Sequence, residues 1–383
     1  MSKNSILLHK KLKGKIYIES KIPSLKPEDL TLMYTPGVAS VCKEIIKNPK
    51  LKFKFTSKEN NIAIVTDGTR LLGLGDVGPD ASLPVMEGKS VIYRKYGNLN
   101  AFPICLKTKD KKKIIETIEI IEPVFGAINL EDIEFPKVLE ISKKIEKQLE
   151  IPVFHDDGQG TSIVVLAGLI NALKIVKKDL DKVKIILVGV GSAGFFIAKL
   201  LKFAGCKNLI LLDSKGVIYP ARKTNMTKYK RELAKITHPK EKGQLEDVIK
   251  KADVFIGVSG KKNLLKPKMI RTMNESPIIF ALTNPDPEIK PNSAKKAGAR
   301  IAASGSFLYK NKINNAIVFP YLMRAILDLK IQNISMDVLY ATALAIANSV
   351  SKKKLTEDNI VPEIDDKNLQ KNITKAIKNL KHY

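Results

Sequence analysis

The chain has 383 residues, enough for two domains of ordinary size, and 44% of them are hydrophobic, which suits a packed core and excludes a largely disordered chain. Lys and Arg number 66 against 39 Asp and Glu, a net charge of +27. That field draws anions, but the basic residues are spread along the chain with no basic arm, zinc finger or RNP-like aromatic motif, so we expect an anionic small substrate and no nucleic-acid partner.

In chain order, the N-terminal residues 6–8 are apolar but are followed at once by Lys10 and Lys11, too short a run for a signal peptide. The turn Tyr34-Thr35-Pro36-Gly37 follows a short apolar stretch. Strands are expected over 62–65, 101–106, 124–128 and 153–155, with helices over 111–121 and 136–149 between them. Pro84 is read as opening a helix that runs through Gly88 and Lys89. A long helix over 161–178 joins the halves; its apolar run at 163–170 stops at Asn171, far short of the ~20 residues a bilayer needs. Beyond it, strands over 183–188, 209–212, 254–258, 278–282 and 300–303 alternate with helices, and helices over 321–329, 336–350 and 367–380 close the chain. Alternation of this kind means parallel sheets covered on both faces. The expected class is therefore α/β with two parallel-sheet domains, divided as 1–160 and 161–383. Cys42, Cys105 and Cys206 are too few and too scattered for a disulfide framework and read as buried small hydrophobes in a cytoplasmic protein.

In such sheets ligands bind beyond the carboxyl ends of the strands, and the polar clusters fall there. Gly189, Gly191 and Gly194 form G-x-G-x-x-G between strand and helix, and Asp213 closes the next strand about 20 residues on, the fingerprint of a dinucleotide site. Ser192 and Ala193 in the turn, and Ser259 and Asn284 on neighbouring strand ends, are expected to line it. Asp213 suits a ribose 2′-hydroxyl, hence NAD; Ser214, Lys215 and Arg222 stand near enough in sequence to meet the 2′-phosphate of NADP. Two acidic doublets, Glu131-Asp132 and Asp156-Asp157, end neighbouring strands, a donor set for a hard cation, Mg²⁺ or Mn²⁺.

Together these segments resemble the malic enzymes, in their short prokaryotic form. The resemblance rests on Tyr34-Thr35-Pro36-Gly37-Val38-Ala39, on the run from Val65 to Asp76, on Met86-Glu87-Gly88-Lys89, on Asn129-Leu130-Glu131-Asp132 and on Phe154-His155-Asp156-Asp157. Asp253 to Gly260, Thr283-Asn284-Pro285 and Asn314-Asn315 complete it, in order, from about residue 10 to about residue 330. It implies a substrate- and metal-binding N-terminal domain similar to that of amino-acid dehydrogenases, followed by a Rossmann domain. It implies oxidative decarboxylation of malate to pyruvate with NAD or NADP, with oxaloacetate decarboxylation beside it, in a homodimer or larger homo-oligomer. By the same resemblance Glu131, Asp132 and Asp157 hold the metal, and Arg70, Asn284 and Asn315 contact malate. Lys89 takes the C2 hydroxyl proton with Asp156 beside it, and Tyr34 protonates the enolate.

A free lysine titrates near about 10.4, too high for a base at neutral pH, so a metal ion, Arg70 and desolvation are expected to lower Lys89 against Asp156. Asn100, Gly158-Gln159 and Tyr321 depart from the family pattern; bulky Tyr321 is expected to narrow the substrate end. A plain hydroxy-acid dehydrogenase, or a non-catalytic nucleotide- or nucleic-acid-binding protein, are the alternatives.

Overall fold

Four short segments form the first sheet of this computed structural model, which describes residues 2–22, 24–237 and 241–380. They are β1 (Asn61–Thr66), β2 (Asn100–Cys105), β3 (Ala127–Leu130) and β4 (Val153–His155), all parallel, in the order β2-β1-β3-β4. The second sheet has β5 (Lys184–Val188), β6 (Asn208–Asp213), β7 (Gly216–Val217), β8 (Val254–Gly257), β9 (Ile278–Ala281) and β10 (Ile301–Ser304) in the order β10-β9-β8-β5-β6-β7. It is parallel except at β7, an edge hairpin of two residues that carries too little pattern to be read from sequence. The interior strands are buried on both faces, which is why they read as continuous apolar runs.

The two sheets share a core. Ile62 from the first packs in one cluster with Ile185 and Phe280 from the second, joined by Tyr93 and Phe319 from covering helices. The helix Thr161–Val176 runs through it, preceded by a π-helical turn at Asp156–Gly160. This stretch has the length and hydropathy of a membrane span, but 72% of its most apolar window is buried inside the protein, the signature of a core helix.

Three details differ from the sequence reading. Pro84 does not open a helix; it lies inside the 20-residue helix Gly78–Gly97. The bond it cannot make is local, and its own carbonyl accepts from Lys15 Nζ at 2.5 Å. Of the cysteines, Cys206 is buried, Cys105 half-buried and Cys42 exposed. Tyr321 is buried with its hydroxyl donating to the Ile364 carbonyl, so it anchors the C-terminal helices rather than narrowing the substrate end.

The N-terminal arm stands apart energetically. The helices Asp29–Met33 and Val38–Lys47 bury no residue, and Leu32, Tyr34 and Ile46 are 76%, 68% and 78% exposed.

Candidate active site

The carboxyl ends of the two sheets face each other across a cavity of about 1520 Å³. Arg70, Lys89, Glu131, Asp132 and Asp157 line it from one side, and Gly189, Gly191, Ser192, Ala193, Asp213, Ser259, Asn284 and Asn315 from the other. Lys89 leaves the helix Gly78–Gly97 with its side chain 8% exposed, and its Nζ lies 2.7 Å from Glu131 Oε2 and in contact with Asp156 Oδ2. The face of Phe319 supports the ammonium from another direction, 4.3 Å from the ring centre. Asp156 Oδ2 also accepts from Asn315 Nδ2 at 2.8 Å, so a residue from the second half of the chain reaches the acid cluster directly. Asp157 Oδ2 accepts the Asp132 backbone N–H at 2.9 Å. Asp132 holds a left-handed backbone, φ 49°, a strained geometry for a residue with a side chain.

The electrostatics follow from four acids enclosed with one lysine. Burial raises Glu131 to about 7, Asp156 to about 7 and Asp157 to about 6. Asp132 is pushed up to about 9, by burial and then by the charges of Asp157 and Glu131. Burial also pushes Lys89 down, but Asp156 and Glu131 together outweigh it, and its pKa is raised. The chain's own carboxylates thus reverse the expected lowering of Lys89. The surplus of buried oxygen donors over positive charge is what a divalent cation neutralises. Glu131 Oε2 is already engaged by Lys89 and by Asn129 Nδ2 at 2.9 Å, which leaves Oε1 for an ion. The donors therefore fit Mg²⁺ or Mn²⁺ by chemistry, although among the described residues no three stand in ready-made ligand geometry.

On the other side, the glycine turn shows why two of its glycines, Gly189 and Gly194, admit no side chain. Gly189 has φ 104°, and a Cβ there would meet the Val258 carbonyl oxygen at 2.5 Å. At Gly194 a Cβ would lie 1.8 Å from the Gly189 oxygen, whereas at Gly191 it would meet nothing within 4 Å, because that residue faces the open cavity. The helix Ser192–Phe203 then points its N-terminus at the same space.

Asp213 is held by Arg222 Nη2, 2.8 Å from each of its oxygens, and by Lys230 Nζ at 2.6 Å. Burial alone would raise its pKa, but Lys230, the Lys215 N–H and Arg222 hold it below the usual carboxylate range. Arg222 spends its remaining donors on the carbonyls of Thr224, Gly216 and Val217. Its five N–H groups are all matched inside the protein, so it is not free to meet a 2′-phosphate.

Tyr34 is not brought to this cavity within one chain: it is not among the lining residues and is 68% exposed. Sequence reasoning also missed supporting residues. Glu288 is fully buried and accepts from Ser259 N and Oγ and from Thr283 Oγ1, tying two loops of the coenzyme side together. His155 is buried and neutral, its pKa pushed down to about 3 by burial and then Lys89, and its Nε2 meets Ser192 Oγ at 3.0 Å. The departures at Gly158 and Gln159 have local reasons. A Cβ at residue 158 would strike the Phe196 ring at 2.3 Å, and Gln159 Oε1 accepts the His155 N–H at 2.9 Å. Asn100 bonds Asn61 at 3.1 Å and does not line the cavity.

Comparison with known proteins agrees with this geometry. The family model described as malic enzyme, N-terminal domain, matches residues 13–146, and that described as malic enzyme, NAD binding domain, matches residues 158–380. The chain belongs to the malic enzyme family. It is 43% identical over 378 residues to a bifunctional malic/malolactic enzyme of Bacillus subtilis, covering 98% of this chain and 92% of that one. It is 44% identical to an NAD-dependent malic enzyme of Geobacillus stearothermophilus, covering 98% of this chain and 78% of that one. The crystal structure of an NAD-dependent malic enzyme from Thermotoga maritima superposes with a TM-score of 0.93 at 40% identity, covering 98% of each chain. This malic enzyme catalyses NAD(P)-dependent oxidative decarboxylation of malate, in a fold of two parallel sheets with a Rossmann-type second unit.

Proposed function

We propose that this malic enzyme is divalent-metal-dependent, with Lys89 as general base, Asp156 as its relay partner and Tyr34 as general acid. The observation that carries the reading is Lys89 clasped by Glu131 and Asp156 in the cavity that also holds Arg70 and the glycine turn. Glu131, Asp132 and Asp157 would hold Mg²⁺ or Mn²⁺, which would act as a Lewis acid towards the negative charge that develops on the substrate. Arg70 pairs with a malate carboxylate, and Asn284 and Asn315 fix the substrate's other end. Lys89 accepts the C2 hydroxyl proton as the C2 hydride passes to the nicotinamide. It must be neutral to do so; Glu131 and Asp156 hold it protonated in the metal-free chain, so it would release its proton, with the adjoining Asp156 as relay partner, once a bound divalent cation takes up their charge. The C3–C4 bond then breaks, CO₂ leaves, and a phenol returns a proton to C3. The same last steps act on oxaloacetate.

We place the phenol of Tyr34 in the cleft of a second copy. The arm's exposed apolar side chains, Leu30, Leu32, Met33, Val38 and Val41 beside Tyr34, are a surface that seeks cover, and a homodimer exchanging arms supplies both the cover and the acid. We place the enzyme in the cytoplasm, divide it at 160/161, and infer NAD as the preferred coenzyme, because Asp213 faces the cavity while Arg222 is fully committed behind it. The test is coenzyme reduction with malate, with NAD and NADP in parallel and with and without Mn²⁺. Turnover without any divalent ion, or with NADP ahead of NAD, would overturn the corresponding part.

A further inference from the structure

The helix Gly78–Gly97 presents a second residue on the Lys89 face, one turn later: Tyr93, which is 0% exposed. Its hydroxyl lies 2.6 Å from Asn129 Oδ1, and Asn129 Nδ2 lies 2.9 Å from Glu131 Oε2. The direction of this chain is set by chemistry. Glu131 Oε2 also faces the Lys89 ammonium, which can only donate, so that oxygen is an acceptor; the amide nitrogen must face it and the amide oxygen must face Tyr93, whose hydroxyl therefore donates. Asn129 is itself fully buried on β3, an interior strand of the first sheet. The ring of Tyr93 also packs on Phe319, centroids 4.7 Å apart, and Phe319 is the ring beneath the Lys89 ammonium.

We propose that Tyr93 is a positioning residue for the metal site. Its hydroxyl fixes the Asn129 amide so that Asn129, with Lys89, engages Glu131 Oε2 and turns Oε1 towards the divalent cation. Removing the hydroxyl leaves the Asn129 oxygen buried without a donor. The amide can then rotate and set its oxygen against the carboxylate, which repels where it formerly held. The inference rests on the reading of Glu131 as a metal ligand.

The test is direct Mn²⁺ binding to the full chain, by calorimetry or by the signal of the free ion, in wild type, Tyr93→Phe, Asn129→Ala and the double variant. Tyr93→Phe keeps the ring against Phe319 and removes the hydroxyl alone. We expect Mn²⁺ affinity to fall by about 10- to 100-fold in Tyr93→Phe, as for other residues that orient metal ligands. We expect NADH binding, followed by fluorescence, to stay within about twofold, and the double variant to match Asn129→Ala, because Tyr93 acts through Asn129. Mn²⁺ affinity of Tyr93→Phe near that of wild type, or losses that multiply in the double variant, would overturn the relay while leaving Glu131 as ligand. Loss of NADH binding along with Mn²⁺ binding would mark a merely structural role and overturn it too. Wild type that binds no Mn²⁺ would instead remove the ligand reading itself.

Discussion

Replacing Lys89 with alanine tests the chemistry at its centre. The side chain removed is 8% exposed and bridges Glu131 and Asp156, so its loss leaves two buried carboxylates without their cation. Breaking a buried pair in this way ordinarily costs about 3–5 kcal/mol. Here the cost is reduced, because Glu131 and Asp156 are both raised to about 7 and can take up protons near neutrality. The variant should therefore fold, with a lowered melting temperature that recovers partly as the pH falls from 8 to 6. Turnover should not recover. A positioned general base contributes about 10²- to 10⁴-fold, so kcat should fall by two to four orders of magnitude. Coenzyme binding should be spared, since the glycine turn and Asp213 make no contact with Lys89. The assay is steady-state NADH formation from malate with saturating Mn²⁺, paired with NADH fluorescence titration. A kcat within about tenfold of wild type would refute the base assignment. Equal loss of coenzyme affinity would show that the fold and not the chemistry had been damaged.

Three further outcomes follow from the same geometry. Gly194→Ala places a methyl group 1.8 Å from the Gly189 oxygen, so coenzyme affinity should fall at least about tenfold; near-normal NADH titration would contradict the turn as described. Arg222→Ala removes the clamp on Asp213 and should weaken NAD binding without improving NADP binding, whereas a gain for NADP would show that Asp213 alone was the barrier; parallel KM values decide it. The third concerns pH. Glu131, Asp132, Asp156 and Asp157 have folded pKa values of about 7, 9, 7 and 6, above their unfolded values, so the folded chain binds more protons. That stabilisation is complete below about pH 4 and is lost as pH rises through 6–9. His155 acts in the opposite sense: its depressed value of about 3 contributes stability that is lost as pH falls below about 6.5, beneath the interval from about pH 6.5 to 9. Chelator-treated protein should thus melt at lower temperature at pH 9 than at pH 6.5, and Mg²⁺ should raise the melting point more at pH 9. A rising melting point across that range, indifferent to Mg²⁺, would contradict the acid cluster.

Much of this was legible in the residues. Parallel strands advertise themselves as apolar runs because both faces are covered, and the chemistry gathers at their carboxyl ends, so Glu131, Asp157 and the glycine turn could be placed before any coordinates. What escaped notice was what depends on distant packing. Tyr93 looks like a core residue, and its hydrogen bond to Asn129 joins a helix to a strand across 36 positions. Arg222 reads as an available cation until its five acceptors are seen. The direction of the Lys89 shift depends on whether acids or cations crowd it more closely, which no spacing reveals. Pro84 misled because tertiary packing carried a helix through a residue that normally begins one.

The short segment that ends β4 touches both halves of the cleft. His155 bonds Ser192 in the glycine turn, and the missing side chain at Gly158 admits the ring of Phe196 from the helix that follows that turn. Anyone exchanging the coenzyme unit of this enzyme for a relative's by cutting at residue 161 would sever a matched joint. A chimera that transplants residues 155–160 together with the Rossmann unit keeps knob and socket from one parent, and it is the graft most apt to assemble.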